Sequence, residues 1–316
     1  MRGRRMKKVY IIGATLPSGG AYMLYRLGQL MARHFGYRPV NVQVQRDTPS
    51  PFSYEPTMET ISLQQLDDQI TDQDVLLCAP AFSGFLFGAR LPGLKIMYAQ
   101  GFNTYGVLDG QFDIYVSASE TVQRYLSSVW GIASSVIAPF VELDSGVDAV
   151  PWHERPQHSA WIFIKRDGPD AAMLYHFLKA SISRRFPDLR LEHVIYGSGL
   201  PRHEFHRRLG SVRYLINLTL AEGFGLVPLE AMALGTMVTG LDGLAGRDYL
   251  RYGENSLTCS YRELNSLADI VCRAMMDEAL AERCALAGRQ TAGAYSFAAF
   301  ERAWLIELER LLDRHA

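Results

Sequence analysis

Residues 222–235 read Glu-Gly-Phe-Gly-Leu-Val-Pro-Leu-Glu-Ala-Met-Ala-Leu-Gly and set two carboxylates around a glycine-loosened loop that runs into a short apolar helix. A carboxylate accepts from two neighbouring hydroxyls at once, so Glu222 and Glu230 suit a ribose diol or a sugar face. Gly223 and Gly225 carry no Cβ, and the backbone amides around Phe224, Gly225 and Leu226 can therefore come close to a polyhydroxylated ligand. Pro228, with its fixed φ and missing N–H, suits the first helical position, which predicts Glu230 in the first turn, where the helix dipole favours negative charge. The competing structural reading has Glu230 merely complementing that dipole, worth about 0.3–1 kcal/mol, and Glu222 solvated in its loop.

The whole string resembles the retaining GT-B glycosyltransferases of family 4. Their hallmark is a Glu, seven residues and a second Glu within EGFGLxxLEAMAxGxxVV, matched here by Glu222, Gly223, Phe224, Gly225, Leu226, Leu229, Glu230, Ala231, Met232, Ala233, Gly235 and Val238. The resemblance implies that Glu222 touches donor-sugar hydroxyls, that Glu230 holds the ribose diol, and that the amides of Phe224, Gly225, Leu226 and Val227 face the sugar and distal phosphate. It also implies an α/β GT-B fold: two Rossmann-like, doubly wound parallel-sheet domains facing a central cleft, with the C-terminal helix crossing back.

Ser18-Gly19-Gly20 lies between the first predicted strand and its helix, where unpaired amides and the dipole can receive a negative group. The spacing is neither GxGxxG nor a Walker A loop. It resembles the GT-B loop beside the donor diphosphate and the acceptor, which assigns Gly19 and Gly20 to the site. Lys165-Arg166 follows a predicted parallel strand, at the end where ligands gather in open α/β sheets. Family members show Gly-Arg there and Lys-Gly a few residues on. Arg166 fits the arginine, but Asp170-Ala171 stands in place of Lys-Gly, leaving Lys165 as the substitute cation. Tyr196-Gly197-Ser198-Gly199 resembles the segment near the nucleotide base. Gln100 and Asn103 are the polar candidates for the acceptor side, where a bland loop is the competing reading.

Those residues need a scaffold. Val9–Ile12 is a continuous apolar run of the kind buried on both sheet faces, and the following helix from Ala21 carries Leu24, Leu27 and Met31 on one face. Further strands are predicted over 39–44, 75–78, 95–99, 114–117 and 136–137, with a helix over 119–130. The stretch 139–156 holds three prolines and reads as a connection. Strands over 160–164, 191–196, 214–218 and 237–240, a helix over 171–186 and a terminal helix from Phe297 follow. The expected division is 1–145, an acceptor-side domain, 146–296, a donor domain, and 297–316, a returning helix.

At 316 residues, 48% hydrophobic and 21% charged, with a net charge of −1, the chain reads as a globular protein with no extended nucleic-acid surface. Its four cysteines are widely spaced and predict buried free thiols in a cytoplasmic protein. No run approaches the length of a membrane span, and a basic N-terminus leaves peripheral attachment open. Asp72-Gln-Asp74 leads into a strand and reads as a solvated turn, and His203 and His206 lack a third ligand, so no metal site is expected.

The expected activity is metal-independent, retaining transfer of a hexose from a nucleotide-diphosphate sugar, a co-substrate needing no cofactor, to an unidentified acceptor. The alternatives are an inactive nucleotide-sugar-binding partner, favoured by the missing Lys-Gly, and a GT-B hexose epimerase.

Overall fold

The computed structural model describes residues 5–45, 50–55, 57–102, 108–157, 159–165, 169–187, 190–195 and 200–315. The chain divides into two compact units, Met1–Pro139 with Phe300–Ala316, and Phe140–Ala299.

In the first unit the apolar run forms β1 (Lys8–Ile12), with Val9 to Ile12 fully buried, as a strand covered on both faces requires. Helix α1 (Gly19–Phe35) is capped at its start by the Ser18 hydroxyl, which accepts from the Ala21 amide, and closed by left-handed Gly36. Then come β2 (Arg38–Gln43), β3 (Glu59–Ser62), α2 (Leu63–Gln69), β4 (Val75–Cys78), α3 (Phe87–Arg90), β5 (Leu94–Ala99), β6 (Ile114–Ser117), α4 (Glu120–Trp130) and β7 (Ser135–Val136). The strands are ordered β3-β2-β1-β4-β5-β6-β7, and every neighbouring pair is parallel. Strand β3 escapes the sequence reading because it sits at the edge with only Ile61 buried, so it offers no apolar run.

The second unit repeats the scheme with β8 (Ser159–Ile164), α5 (Pro169–Ser183), β9 (Arg190–Ile195), α6 (Arg202–Leu209), β10 (Tyr214–Asn217), α7 (Leu226–Ala233), β11 (Met237–Leu241), β12 (Leu257–Cys259), α8 (Leu267–Met276) and α9 (Glu278–Gly293). Its order is β12-β11-β10-β8-β9, again parallel throughout. The core fills with Ile162, Leu178, Ile216, Leu241, Val271 and Cys272. Its first residues are tied down locally: the Val141 amide donates to the Tyr295 carbonyl at 2.9 Å, and Phe140 meets the Phe297 ring edge-on at 5.0 Å. Arg155 anchors the proline-rich connection from inside, donating to the carbonyls of Val150, Val212 and Leu234 and to the Thr236 hydroxyl. Burial, with Arg213 and Arg289 nearby, pulls its pKa down to about 10.

Helix α10 (Phe297–His315) ends the chain. From Phe300 on it is part of the first unit, where buried Trp304 packs edge-on against Tyr98 at 5.3 Å and Glu301 pairs with Arg33 and His34.

Both sheets have one point where the strand order reverses, between β1 and β4 in the first and between β8 and β10 in the second. Successive loops part there at the carboxyl ends of the strands and leave a crevice.

Candidate functional site

In the second unit that reversal brings Lys165 and Glu222 together. Strand β8 is buried along its whole length, and Lys165, the next residue, is the first with exposure. Its Nζ lies 2.9 Å from Glu222 Oε1, with side chains 37% and 8% exposed respectively. Glu222 follows β10, and its amide donates to the Gly243 carbonyl at 2.9 Å. The Lys165 ammonium, itself partly in water, sets a positive charge against that carboxylate. The solvated-loop reading of Glu222 is therefore wrong, because β10 and β11 hold its backbone beneath the loop surface.

Gly225 is required by its surroundings. Its φ is +95°, and a Cβ there would lie 2.9 Å from Tyr249 Oη and 3.2 Å from Glu222 Oε2. The Tyr249 hydroxyl donates to the Gly225 carbonyl at 2.5 Å. Burial, seconded by the Glu222 charge, pushes that phenol well above its ordinary pKa, so it stays a donor. Phe224, 5% exposed, packs on Tyr249 and Tyr295 at 5.3 and 5.4 Å. Its ring anchors the loop from below, and only its main chain is left to meet a ligand.

Helix α7 starts at Leu226 with Gly225 as its cap. Pro228 is thus its third residue and Glu230 its fifth, not the first and third, which corrects the sequence reading. The left-handed glycine begins the helix early, and a proline is tolerated anywhere in the first turn, whose N–H groups have no intrahelical partner. Glu230 then lies beyond the reach of the dipole effect, which removes the structural explanation offered for it. The amides of Leu226 and Val227 stand in the first turn of the helix, where a backbone N–H has no intrahelical partner, with Phe224 and Gly225 beside them.

Glu230 is held instead by helix α6. His206 Nε2 lies 3.4 Å and Arg202 Nη2 3.9 Å from its Oε1. The sequence reading missed both. It weighed His206 together with His203 as a pair of metal ligands lacking a third, whereas the informative signal was the i,i+4 spacing of Arg202 and His206 on one helix face.

In the first unit Gly19 and Gly20 open α1, at the carboxyl end of β1. Gln100, just past β5, donates from Nε2 to the Gly20 carbonyl at 3.1 Å, and a Cβ on Gly20 would lie 2.1 Å from its Oε1. Gln100 is therefore part of this turn, not a bland loop residue. Arg166, Gly197, Ser198 and Asn103 lie outside the described residues.

Asp74, taken in sequence as part of a solvated turn, is 1% exposed and accepts from the Lys8 and Thr71 amides, the Thr71 hydroxyl and Arg5. It fastens the starts of β1 and β4, opposite the functional end. Asn255 is a buried turn residue, with Oδ1 accepting from the Arg251 amide and Nδ2 donating to the Tyr249 carbonyl. Among the described residues no three His, Cys, Asp or Glu side chains gather as a metal site, and no helix is long and apolar enough to cross a membrane.

The stretch bearing Glu222, Gly225 and Glu230 decides the relationship. Residues 181–291 match the family of glycosyl transferases group 1. No curated protein matches the sequence. Solved structures that resemble the chain include a sucrose-phosphate synthase from Thermosynechococcus elongatus, at 14% identity and TM-score 0.70 over 98% of this chain and 100% of that one. A glycosyltransferase from Rickettsia africae is similar at 14% identity and TM-score 0.68, over 98% and 99% of the two chains. An Anabaena protein solved with UDP-glucose is similar at 12% identity and TM-score 0.67, over 97% and 100%. At such identities the likeness speaks for the fold, and the fold is GT-B.

Proposed function

We propose that the protein is a retaining glycosyltransferase that moves a hexose from a nucleotide-diphosphate sugar to an acceptor hydroxyl without a metal ion. The reading is carried by one observation: the Lys165–Glu222 pair bridges the reversal point of the second sheet beside the start of helix α7, with Glu222 and that helix inside the family-matched stretch. Glu222 receives donor-sugar hydroxyls, and Glu230 receives the ribose diol. The bond between the anomeric carbon and the phosphate oxygen breaks, the acceptor oxygen bonds to that carbon, and the acceptor proton leaves on the phosphate oxygen. The chief barrier is charge accumulating on the departing diphosphate. Lys165 and the loop amides of Phe224, Gly225, Leu226 and Val227 meet that charge with preset donors, and the sequence resemblance adds the charge of Arg166. The sequence resemblance assigns Gly19 and Gly20 to the diphosphate and acceptor side and Gly197 and Ser198 to the nucleotide base.

Purified protein incubated with UDP-, GDP-, ADP- and dTDP-hexoses in excess EDTA should release nucleotide from one of them, faster in the presence of an acceptor extract. Proton NMR of the product should show the donor's anomeric configuration kept. Inverted product rules out retention, and activity restored only by added divalent cation rules out metal independence. Binding without release would make the protein a nucleotide-sugar-binding partner.

A further inference from the structure

We propose that His206 is a positioning residue for Glu230, holding its carboxylate where a ribose diol can meet it. The proposal rests on the assignment of Glu230 to the nucleotide ribose made above. His206 is 0% exposed, so each ring nitrogen needs a protein partner. The Asp144 amide donates to Nδ1 at 3.3 Å. A donor at Nδ1 means that nitrogen carries no proton, and the neutral ring then holds its hydrogen on Nε2. Nε2 has no completed hydrogen bond among the described residues, and Glu230 Oε1 lies 3.4 Å away. A buried N–H facing a carboxylate at that separation needs only a small side-chain shift to close the bond.

The rest of the frame keeps that geometry. Arg202, one turn before His206 on α6, pairs with the Asp144 carboxylate at 2.6 Å, donates to the Glu142 carbonyl and comes within 3.9 Å of Glu230 Oε1. The segment through Asp144 thus orients the imidazole from one side, and the imidazole orients the carboxylate from the other. Glu230 has three side-chain torsions to be fixed. A carboxylate has about four acceptor sites, so a bond from Nε2 leaves enough for two vicinal hydroxyls.

The test compares UDP, GDP and ADP with their 2′-deoxy counterparts by calorimetry, in the wild type and in His206→Asn, His206→Gln and Glu230→Gln. The Asn amide can take over the bond to Asp144 but falls short of Glu230, whereas Gln places a donor near the Nε2 position. The wild type should prefer the ribonucleotide that it binds by about tenfold or more, because a site built to bond a hydroxyl penalises its loss. His206→Asn should lose most of that preference by weakening the ribonucleotide alone, and His206→Gln should restore it. Full preference in His206→Asn, or equal weakening of both nucleotides, overturns the positioning role. If Glu230→Gln erases the preference while His206→Asn keeps it, the ribose assignment stands and the role of His206 falls. A wild type that binds without preferring ribose overturns that assignment, and the present proposal with it.

Discussion

At the scale of single residues, the pairing of Lys165 with Glu222 makes opposite demands on stability and chemistry. The lysine head is more than a third exposed and its pair is screened by water, so the pair adds under about 1 kcal/mol to folding. In the proposed reaction a developing negative charge beside it would gain far more, since a preset donor in an active site is worth about 10²–10³ in rate. Lys165→Ala should therefore lower the rate of nucleotide release by about that factor and shift the urea midpoint little. A large loss of stability with normal turnover would make the pair a structural clamp. Gly225→Ala should cost stability as well as binding. At φ +95° a Cβ meets both Tyr249 Oη and Glu222 Oε2, so the variant should lose about 1–3 kcal/mol in urea unfolding and bind nucleotide sugar more weakly.

Elements decide which residues can meet. The strands over Val9–Ile12 and Val75–Cys78 were legible because a strand buried on both faces has no polar residue to interrupt it. The carboxylates at 222 and 230 stood out in sequence through the motif that carries the family resemblance. Their partners did not, because Lys165 reaches Glu222 only if β8 and β10 are neighbours although β9 lies between them in sequence. The start of α7 was misread for a different reason: proline marks a first turn but not a position in it, and the positive φ of Gly225 set the true start. Asp74 was misread because one loop carboxylate looks like another until its donors are known. Strands β1 and β4 begin on that side chain, so Asp74→Ala would leave two amides and a hydroxyl of the described structure without their acceptor. The expected cost is about 3 kcal/mol or more, at about 1–3 kcal/mol for each of the three groups left bare. Asp74→Asn, which keeps one acceptor oxygen, should recover part of it. Nucleotide-sugar binding by the folded fraction should be unchanged, since Asp74 lies at the opposite end of the sheet from Gly19 and Gly20.

Across the whole molecule the titratable groups of the two cores share one bias, and it fixes how the protein responds to alkali. Cys78 in the first unit and Cys259, Cys272 and Cys284 in the second are free and buried. Burial raises all four thiols, Cys259 to about 11 and Cys78 further. Burial likewise raises Tyr10 and Tyr214 to about 12. For an acid whose folded pKa is raised, the stabilising contribution is whole below the unfolded value and is lost as pH climbs to the folded one. The thiols therefore withdraw stability from about pH 9 upward and the phenols from about pH 10. Arg155 acts in the opposite sense, because its pKa of about 10 is depressed and the folded state gains as it deprotonates. It is one group against several, so the melting temperature should hold between pH 7 and 8.5 and fall steadily toward pH 11. Iodoacetamide reports the same change chemically, because only the thiolate reacts. Intact mass should show no alkylation of the native protein at pH 8 over a time that labels all four cysteines in urea, with labelling of the native protein appearing as the melting temperature drops. Labelling at pH 8 as fast as a free thiol, with the melting temperature still high, would contradict the burial of these side chains and with it the packing of both sheets.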